Sequence, residues 1–478
     1  MARTRAASAN VNPDDKLDFK KILPIFVIVL IDLLGLTIII PLLPLYATTF
    51  GASPLVIGLL GAVYPIMQFI GAPVLGRLSD QYGRKPILLI SQIGTFIGFI
   101  MLGLAQSLLI LFLARAVDGL SGANVSTAQA VITDSTNERN RTQGLGLLGA
   151  AFGLGFAVGP IIAFLSLNLT HNDYRAPAFV AAGFSLLSIL LTYFWLQETH
   201  GPEKRGTDAA KSAFSMRALF QALKHPAVGV LLLLIFFQQI AFGGFEQMLS
   251  LFTLSRLGLN ASGNAIIFVF VGVLVVAVQG GYVGKWSRKY GDRRVIFAGL
   301  ALLAIGLLLI AFTPTQPAPW YSKAGMTNEL AQHGSAAGAA GHSNPSATGE
   351  VSVPLPDDAN RGWLGLIWIL IAMVPASIGG GVLQPTINSL ITKRIEPNEI
   401  GGTLGISAAL LSGANALAPL IGGLLFQFGG PTLMFVVWAA MLGSLWFIAR
   451  VKLTPGREEQ APAGLARGGT AHDSATAQ

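Results

Sequence analysis

The chain has 478 residues, of which 53% are hydrophobic and 11% charged, with a formal net charge of +8 and no cysteine. A soluble chain of this length would form about two to four domains, but apolar runs of bilayer-crossing length and a mean hydropathy of +0.63 exclude that class. The basic balance does not point to nucleic acid, because the charges sit in connections and sort by side, and the absence of cysteine excludes disulfides and thiol chemistry.

Residues 1–21 are polar, carry Arg3, Arg5, Lys16, Lys20 and Lys21, and are expected to form a cytoplasmic tail. The apolar run from about Ile22 is too long for a signal-peptide core and lacks an evident cleavage site, which predicts an uncleaved first helix. At about 20 residues per span, six helices are predicted over 22–46, 54–76, 86–106, 108–132, 142–167 and 176–197, an N-terminal bundle over 22–197. The polar stretch 198–225 is the expected cytoplasmic linker. Six more helices are predicted over 226–254, 262–284, 295–313, 363–390, 402–428 and 431–449, a C-terminal bundle over 226–449 followed by a cytoplasmic tail, 450–478. Residues 314–362 are rich in Pro, Gly, Ala, Ser and Asn and keep no apolar period, so a flexible external loop is expected there. The fold class is all-α integral membrane, with twelve transmembrane helices.

Charge placement sets the orientation. Of the 31 Lys and Arg residues, four (Arg175, Arg256, Lys323, Arg361) fall in the connections of one side and Arg115 lies inside a predicted helix. The others all lie on the side of the termini, which puts both termini in the cytoplasm; the expected location of this multi-pass chain, the inner (plasma) membrane, rests on the family resemblance given below. The chain also repeats itself. The stretch Gly76-Arg77-Leu78-Ser79-Asp80-Gln81-Tyr82-Gly83-Arg84-Lys85-Pro86 aligns, at an offset of 208, with a second copy running from Gly284 to Arg294. There Gly, Ser, Tyr and Gly recur and Asp80 is replaced by Arg288. Gly159-Pro160 aligns with Ala418-Pro419 at an offset of 259, and the difference matches the extra loop. Two parallel six-helix halves account for both offsets.

The first copy joins two apolar runs by a very short basic turn, with Gly83 for the turn and Pro86 in the next helix's first turn. Its pattern, G-x-L-x-D-x-x-G-R-K-P, resembles the signature loop between helices 2 and 3 of the major facilitator superfamily. The resemblance implies two pseudo-repeat bundles around a central cavity. It also implies a conformational lock made by Gly76, Asp80, Gly83, Arg84 and Lys85, in which Asp80 caps a helix of the other half while the cavity opens outward. A basic topological anchor is the plainer reading of the same residues.

Four ionisable residues fall inside predicted helices: Asp32, Arg115, Asp118 and Glu246. Each costs roughly 2.5–3.5 kcal/mol on insertion scales and requires a partner, a cavity or a proton. Asp32 precedes Gly35 and Pro41-x-x-Pro44, which resembles the first helix of drug:proton antiporters, including the tetracycline exporters; the resemblance makes Asp32 a proton or cation site. A carboxylate hydrogen-bonded to its surroundings is the alternative. Arg115 and Asp118, three apart, share one helix face and can neutralise each other. They resemble the superfamily's helix 4 motif, whose arginine is tied to proton coupling. Structural pairing and coupling both stay open. Glu246, with no basic neighbour in sequence, is a candidate proton site or a hydrated residue near the interface.

Helix 5 carries Gly149, Gly153, Gly155, Gly159 and Pro160, a small-residue pattern suited to close packing. Its order resembles the motif of the superfamily's antiporters and implies export. Tyr64, Gln68, Asn124, Gln129, Gln239 and Asn388 are candidates to line a substrate cavity, where ordinary interhelical bonds are the alternative. The leading reading is a secondary active transporter that exports small amphipathic or cationic compounds, of tetracycline or multidrug type, in exchange for protons by alternating access. Proton-coupled uptake or facilitated transport of a sugar or other metabolite is the alternative, and a non-transporting membrane sensor is the alternative of another class. The six histidines fall in predicted loops or tails without metal-ligand spacing, and no nucleotide-binding P-loop is present, so no enzyme, metal or cofactor is expected. The proton gradient is the expected energy source. Expected partners are a small-molecule substrate, protons and the lipid bilayer, with no nucleic acid and a monomeric working unit.

Overall fold

The computed structural model describes residues 19–122, 124–136, 141–200, 216–225, 228–338, 353–396 and 399–453. Most of both predicted tails and of the linker therefore lies outside the described residues. In chain order the helices are α1 (Phe19–Ile39), α2 (Leu43–Thr49), α3 (Pro54–Tyr82), α4 (Arg84–Gly103), α5 (Leu108–Ser121), α6 (Asn124–Asp134), α7 (Arg141–Leu169) and α8 (Ala176–Phe194). After a short α9 (Met216–Lys224) come α10 (Gly229–Leu257), α11 (Ala261–Ala277), α12 (Val283–Tyr290), α13 (Asp292–Ala311), α14 (Lys323–Gly338), α15 (Leu364–Arg394) and α16 (Ile400–Lys452). No strand occurs among the described residues.

Among the described residues eleven helical runs are long and apolar enough to cross a bilayer. The last, α16, is two helices joined at Gly430, whose φ of 75° and ψ of 174° are non-helical, which makes twelve spans. Breaks fall where the sequence supplies a reason. The first span is interrupted between α1 and α2 at Pro41. The eighth passes through a π-helical turn over Val278–Tyr282, around Gly280 and Gly281. The signature stretch is not a loop. α3 runs on to Tyr82, past the expected end near residue 76, and α4 begins at Arg84, leaving only Gly83 between them. Gly83 has φ 108°, and Gly291, 208 positions on, joins α12 to α13 with φ 82°. The repeat read from sequence is therefore a repeat of backbone conformation.

Within each half the helices pack around their own core: α1 against α7 and α8, and α4 against α5 and α8, in the first; α10 against α16, and α13 against α15 and α16, in the second. Between halves α3 meets α16 and α7 meets α11. The end that carries the basic turns is here called the basic end. At the opposite, far end one apolar core runs through both halves, joining Leu42, Tyr46 and Leu60 to Leu249, Phe252 and Leu257. It continues through the second half to the basic end, at Ile296, Leu390 and Leu453, while the first half has a separate cluster there around Ile25, Val29 and Val131, and a small third one lies around Val278, Val295 and Val382. Glycines report the same asymmetry. A Cβ on Gly58 would stand 2.3 Å from the Pro419 carbonyl oxygen, and one on Gly272 would stand 2.4 Å from that of Phe156. At Gly76, Gly280, Gly402 and Gly405 it would meet nothing within 4 Å. An apolar cavity of about 350 Å³ opens between Ile66, Phe69 and Ile70 of α3 and Ser412, Gly413, Ala416 and Leu417 of α16. The halves meet at the far end and part toward the basic end.

Residues 314–362 depart from the expected flexible loop. Residues 339–352 lie outside the described part, but the rest carries α14 and a short 3-10 turn at Asp358–Asn360. Met326 and Leu330, one helical turn apart, enter the far-end core with Tyr321 and Val353. Two apolar residues at one spacing were too weak a period to read in a polar, glycine-rich stretch.

The φ and ψ of Gly83, 108° and 159°, lie in a region only glycine occupies easily. Gly83→Ala is expected to destabilise the purified protein by about 1–3 kcal/mol. Gly183→Ala in the interior of α8, where a Cβ meets nothing within 4 Å, should leave the melting temperature unchanged or raise it.

Candidate functional site

The site grows from five spans of the first half. Close approach is built in by glycine: a Cβ on Gly98 of α4 would lie 2.8 Å from the Asp118 Cβ, and one on Gly119 of α5 would lie 2.6 Å from the Tyr64 carbonyl oxygen. With both absent, α5 sits tightly between α3 and α4 and carries Arg115 and Asp118 inward. Arg115 Nη1 donates to Asp118 Oδ2 at 2.7 Å, with both side chains buried. The guanidinium also lies over the Tyr64 ring, 4.5 Å from its centroid, a favourable cation–π placement.

Asp32 reaches the same place from α1. Both of its carboxylate oxygens are buried, and no group meets hydrogen-bond geometry with either. Its polar neighbours are Ser188, Gln92 and Asn124, with Asp118 as a nearby like charge. Gln92 is itself engaged, donating from Nε2 to the Ser188 hydroxyl at 2.7 Å. Asp32, Tyr64, Thr95, Asp118, Gly122 and Asn124 line a cavity of about 30 Å³, room for about one or two waters. The fourth span is interrupted beside it, between α5 and α6 at Gly122. Gln68 Nε2 donates to the freed Gly122 carbonyl at 2.7 Å and to the Tyr64 hydroxyl at 3.3 Å. Broken helices occur at membrane depth where backbone lines a cavity or finds such a partner.

Sequence candidates thus divide. Asp32, Arg115, Asp118, Tyr64, Gln68 and Asn124 come together. Glu246 does not join them: it lies on α10 in the second half, and no hydrogen bond or ion pair to it occurs among the described residues. It shares a helix face with Gln239, whose Nε2 donates to Asn415 Oδ1 at 2.8 Å. Asn388 accepts from Ser407 at 3.1 Å, and the Gln129 side chain is exposed. Gln92, Thr95 and Ser188 escaped the sequence reading; polar residues at buried positions of otherwise apolar helices were the available signal.

The glycines of α7 face two ways. A Cβ on Gly159 would lie 2.1 Å from Thr37 Oγ1, and one on Gly155 would lie 3.2 Å from the Leu33 Cβ, so this face holds α1 next to Asp32. Thr37 Oγ1 donates to the Gly155 carbonyl at 2.9 Å. Pro160, beside Gly159, lies inside α7 without ending it. Gly153 faces the other half, with a Cβ 3.7 Å from Val276, and Gly149 meets nothing within 4 Å.

At the basic end, Arg84 is nearly buried and pairs with Asp80 at 2.5 Å and with Asp134 at 3.0 Å. Glu198 accepts from the backbone N–H groups of Arg84 at 2.9 Å and Lys85 at 3.1 Å, capping α4. Lys85 Nζ donates to the Tyr193 carbonyl at 2.8 Å. All these partners belong to the first half, so Asp80 spans no gap between halves in this conformation. The second half repeats the arrangement with polarity reversed. Position 84 becomes Asp292 at the offset of 208, and Asp134 becomes Lys393 at the offset of 259. Lys393 Nζ and Asp292 Oδ2 are 2.6 Å apart, and Asp292 also accepts from Ser389 at 2.8 Å and from Ser287. Asp134 and Lys393 escaped the sequence reading, and the two offsets, applied together, were the signal that would have paired them.

A twelve-span bundle of two repeated halves, carrying buried charges beside a central cleft, defines a membrane transporter fold. The model of the Major Facilitator Superfamily matches residues 25–347, and the chain belongs to that superfamily. Among its relatives, the tetracycline resistance protein, class B, of Escherichia coli is 25% identical over 432 residues, covering 90% of this chain and 94% of that protein. The class C protein of Escherichia coli is 28% identical over 398 residues, covering 82% and 86%. The crystal structure of the human organic anion transporter MFSD10 superposes with a TM-score of 0.60 at 22% identity, covering 92% of this chain and all of that one, a likeness of fold.

Asp292 is almost fully buried while Lys393 is about half exposed. Asp292→Ala, which removes the shared acceptor of Lys393, Ser389 and Ser287, is expected to cost about 1–3 kcal/mol of stability. Reversing the pair, Asp292→Lys with Lys393→Asp, should recover part of that loss in thermal melting of the purified protein.

Proposed function

We propose that this transporter exports small amphipathic or cationic compounds, of tetracycline or multidrug type, in exchange for protons. The observation that carries this reading is the buried Asp32 carboxylate, which has polar neighbours but no opposite charge of its own, beside the Arg115–Asp118 pair. Arg115 stays charged at any working pH, so it balances one carboxylate and leaves one negative charge over. In a low-dielectric bundle that charge is neutralised by a proton or by the positive group of a substrate. The two ligands compete for one carboxylate, and competition for a single site within a protein that alternates its opening is exchange. The similarity to tetracycline resistance proteins over most of the chain supports the substrate class.

The sorting of Lys and Arg supports placing the basic end in the cytoplasm of a bacterial cell, with the termini on the same side. The conformation described is then open toward the cytoplasm. On this reading the signature turn acts in the opposite state: as the halves close at the basic end, Asp80 exchanges part of its contact with Arg84 for a helix N-terminus of the second half.

The test uses inside-out vesicles with an imposed pH gradient and a fluorescent pH reporter. Addition of a tetracycline or a lipophilic cation is expected to collapse part of the gradient in the parent protein and not in Asp32→Asn at equal membrane amount. A response to sugars alone would replace this reading with metabolite transport. In the same assay Asp80→Asn should abolish exchange while inserting normally; unimpaired exchange would remove the role given to the turn.

A further inference from the structure

The inserted segment between α13 and α15 does more than close a connection. Its helix α14 belongs in sequence to the second half but packs against α2 of the first. Glu329 of α14 accepts from the Tyr174 hydroxyl at 3.1 Å and from Asn260 Nδ2 at 3.3 Å. Tyr174 belongs to the α7–α8 connection of the first half, and Asn260 caps α11 of the second by accepting from Gly263 N–H at 3.1 Å. The Tyr174 oxygen also takes the backbone N–H of Ala261, the first residue of α11. Burial and the adjacent Glu329 push the Tyr174 hydroxyl well above its ordinary range, so it remains a donor. Beside this joint, Asn172 has φ 63° and accepts from the Ser262 hydroxyl at 2.7 Å, a second bond between halves. The segment is anchored as well: Tyr321 lies against Gly258, where φ is +63° and a Cβ would be 2.1 Å from the ring.

We propose that Glu329 is a positioning residue of the transport cycle, a latch that holds the far end shut by joining Tyr174 of one half to the α11 N-terminus of the other through α14. Opening the far end must break the Tyr174–Glu329 bond, so its strength sets how much protein stands in each state. The inference rests on the alternating-access reading above, and its test separates the two.

The protein has no cysteine, so single reporters label without background. Ser250 is fully buried at the far-end joint, donating to the Pro41 carbonyl at 2.9 Å, and Gly402 is exposed at the basic end. Each is replaced by cysteine in the full chain, purified in detergent, and its rate of reaction with a maleimide is measured. In the Ser250→Cys background, Glu329→Ala and Tyr174→Phe are each expected to raise the rate about tenfold, the scale of one lost hydrogen bond to a charged acceptor. The two together should do no more than Glu329→Ala alone, because Tyr174→Phe removes one of the two bonds that Glu329 makes. Glu329→Gln keeps one acceptor oxygen for Tyr174 and should raise the rate less than Glu329→Ala. Labelling in the Gly402→Cys background should fall as that in the Ser250→Cys background rises. Equal rates in Glu329→Ala and parent, or a joint rise of both reporters, overturn the latch. Reporters that answer to pH or a tetracycline but not to Glu329→Ala leave exchange standing without the latch. Reporters that answer to Glu329→Ala but to neither pH nor drug leave the latch standing without exchange.

Discussion

The cost of a charge without water governs this molecule. Within the bundle every ionised group needs an opposite charge, a donor or a cavity, because the surrounding hydrocarbon offers none. Arg115 answers with Asp118 and the face of Tyr64. Asp32 has no opposite charge and no donor in bonding geometry, and instead borders a small cavity. The close helix contacts around the cluster, made possible by Gly98, Gly119, Gly155 and Gly159, bring it together and keep it narrow. The same glycines that let helices touch thus decide which polar side chains can find one another.

A second constraint is the duplication of the chain. Both halves place a glycine with positive φ between two spans and follow it with a buried charged residue tied to the end of another span. In the first half the charge after the glycine is Arg84 and its partner Asp134; in the second it is Asp292 and its partner Lys393. The backbone device is common and its polarity is not, because an ion pair keeps its attraction when both members change sign. The halves therefore share geometry while presenting different faces across the cleft: Asp80 on one side, Arg288 at the equivalent place on the other.

The two ends of the bundle are held by different physics. At the far end a single apolar core crosses between halves and α14 straps over it. At the basic end the first half keeps a core of its own, separate from the one that fills the second half, and the polar networks of Arg84 and Asp292 close within their own halves. Apolar contact resists separation without regard to direction, whereas hydrogen bonds such as Tyr174–Glu329 hold one register and release together. A bundle built in this way can open at one end without dissolving the other.

Much of this was legible in the sequence. Apolar runs gave the spans, because bilayer thickness fixes their length and backbone groups must bond within them. Glycine and charge at fixed offsets gave the repeat, and the cost of intramembrane charge singled out Asp32, Arg115, Asp118 and Glu246. Helix rotation was not legible: Gln68 and Asn124 lie in the cluster around Asp32 while Gln129 and Asn388 lie away from it, and a polar residue in an apolar run carries no mark of the direction it faces. Nor was α14, since Met326 and Leu330 acquire their meaning only against a core contributed by both halves. Sequence by itself determined what must cross the membrane and which charges needed a reason. Only the tertiary structure decided which of them meet, because that depends on how closely distant helices can approach.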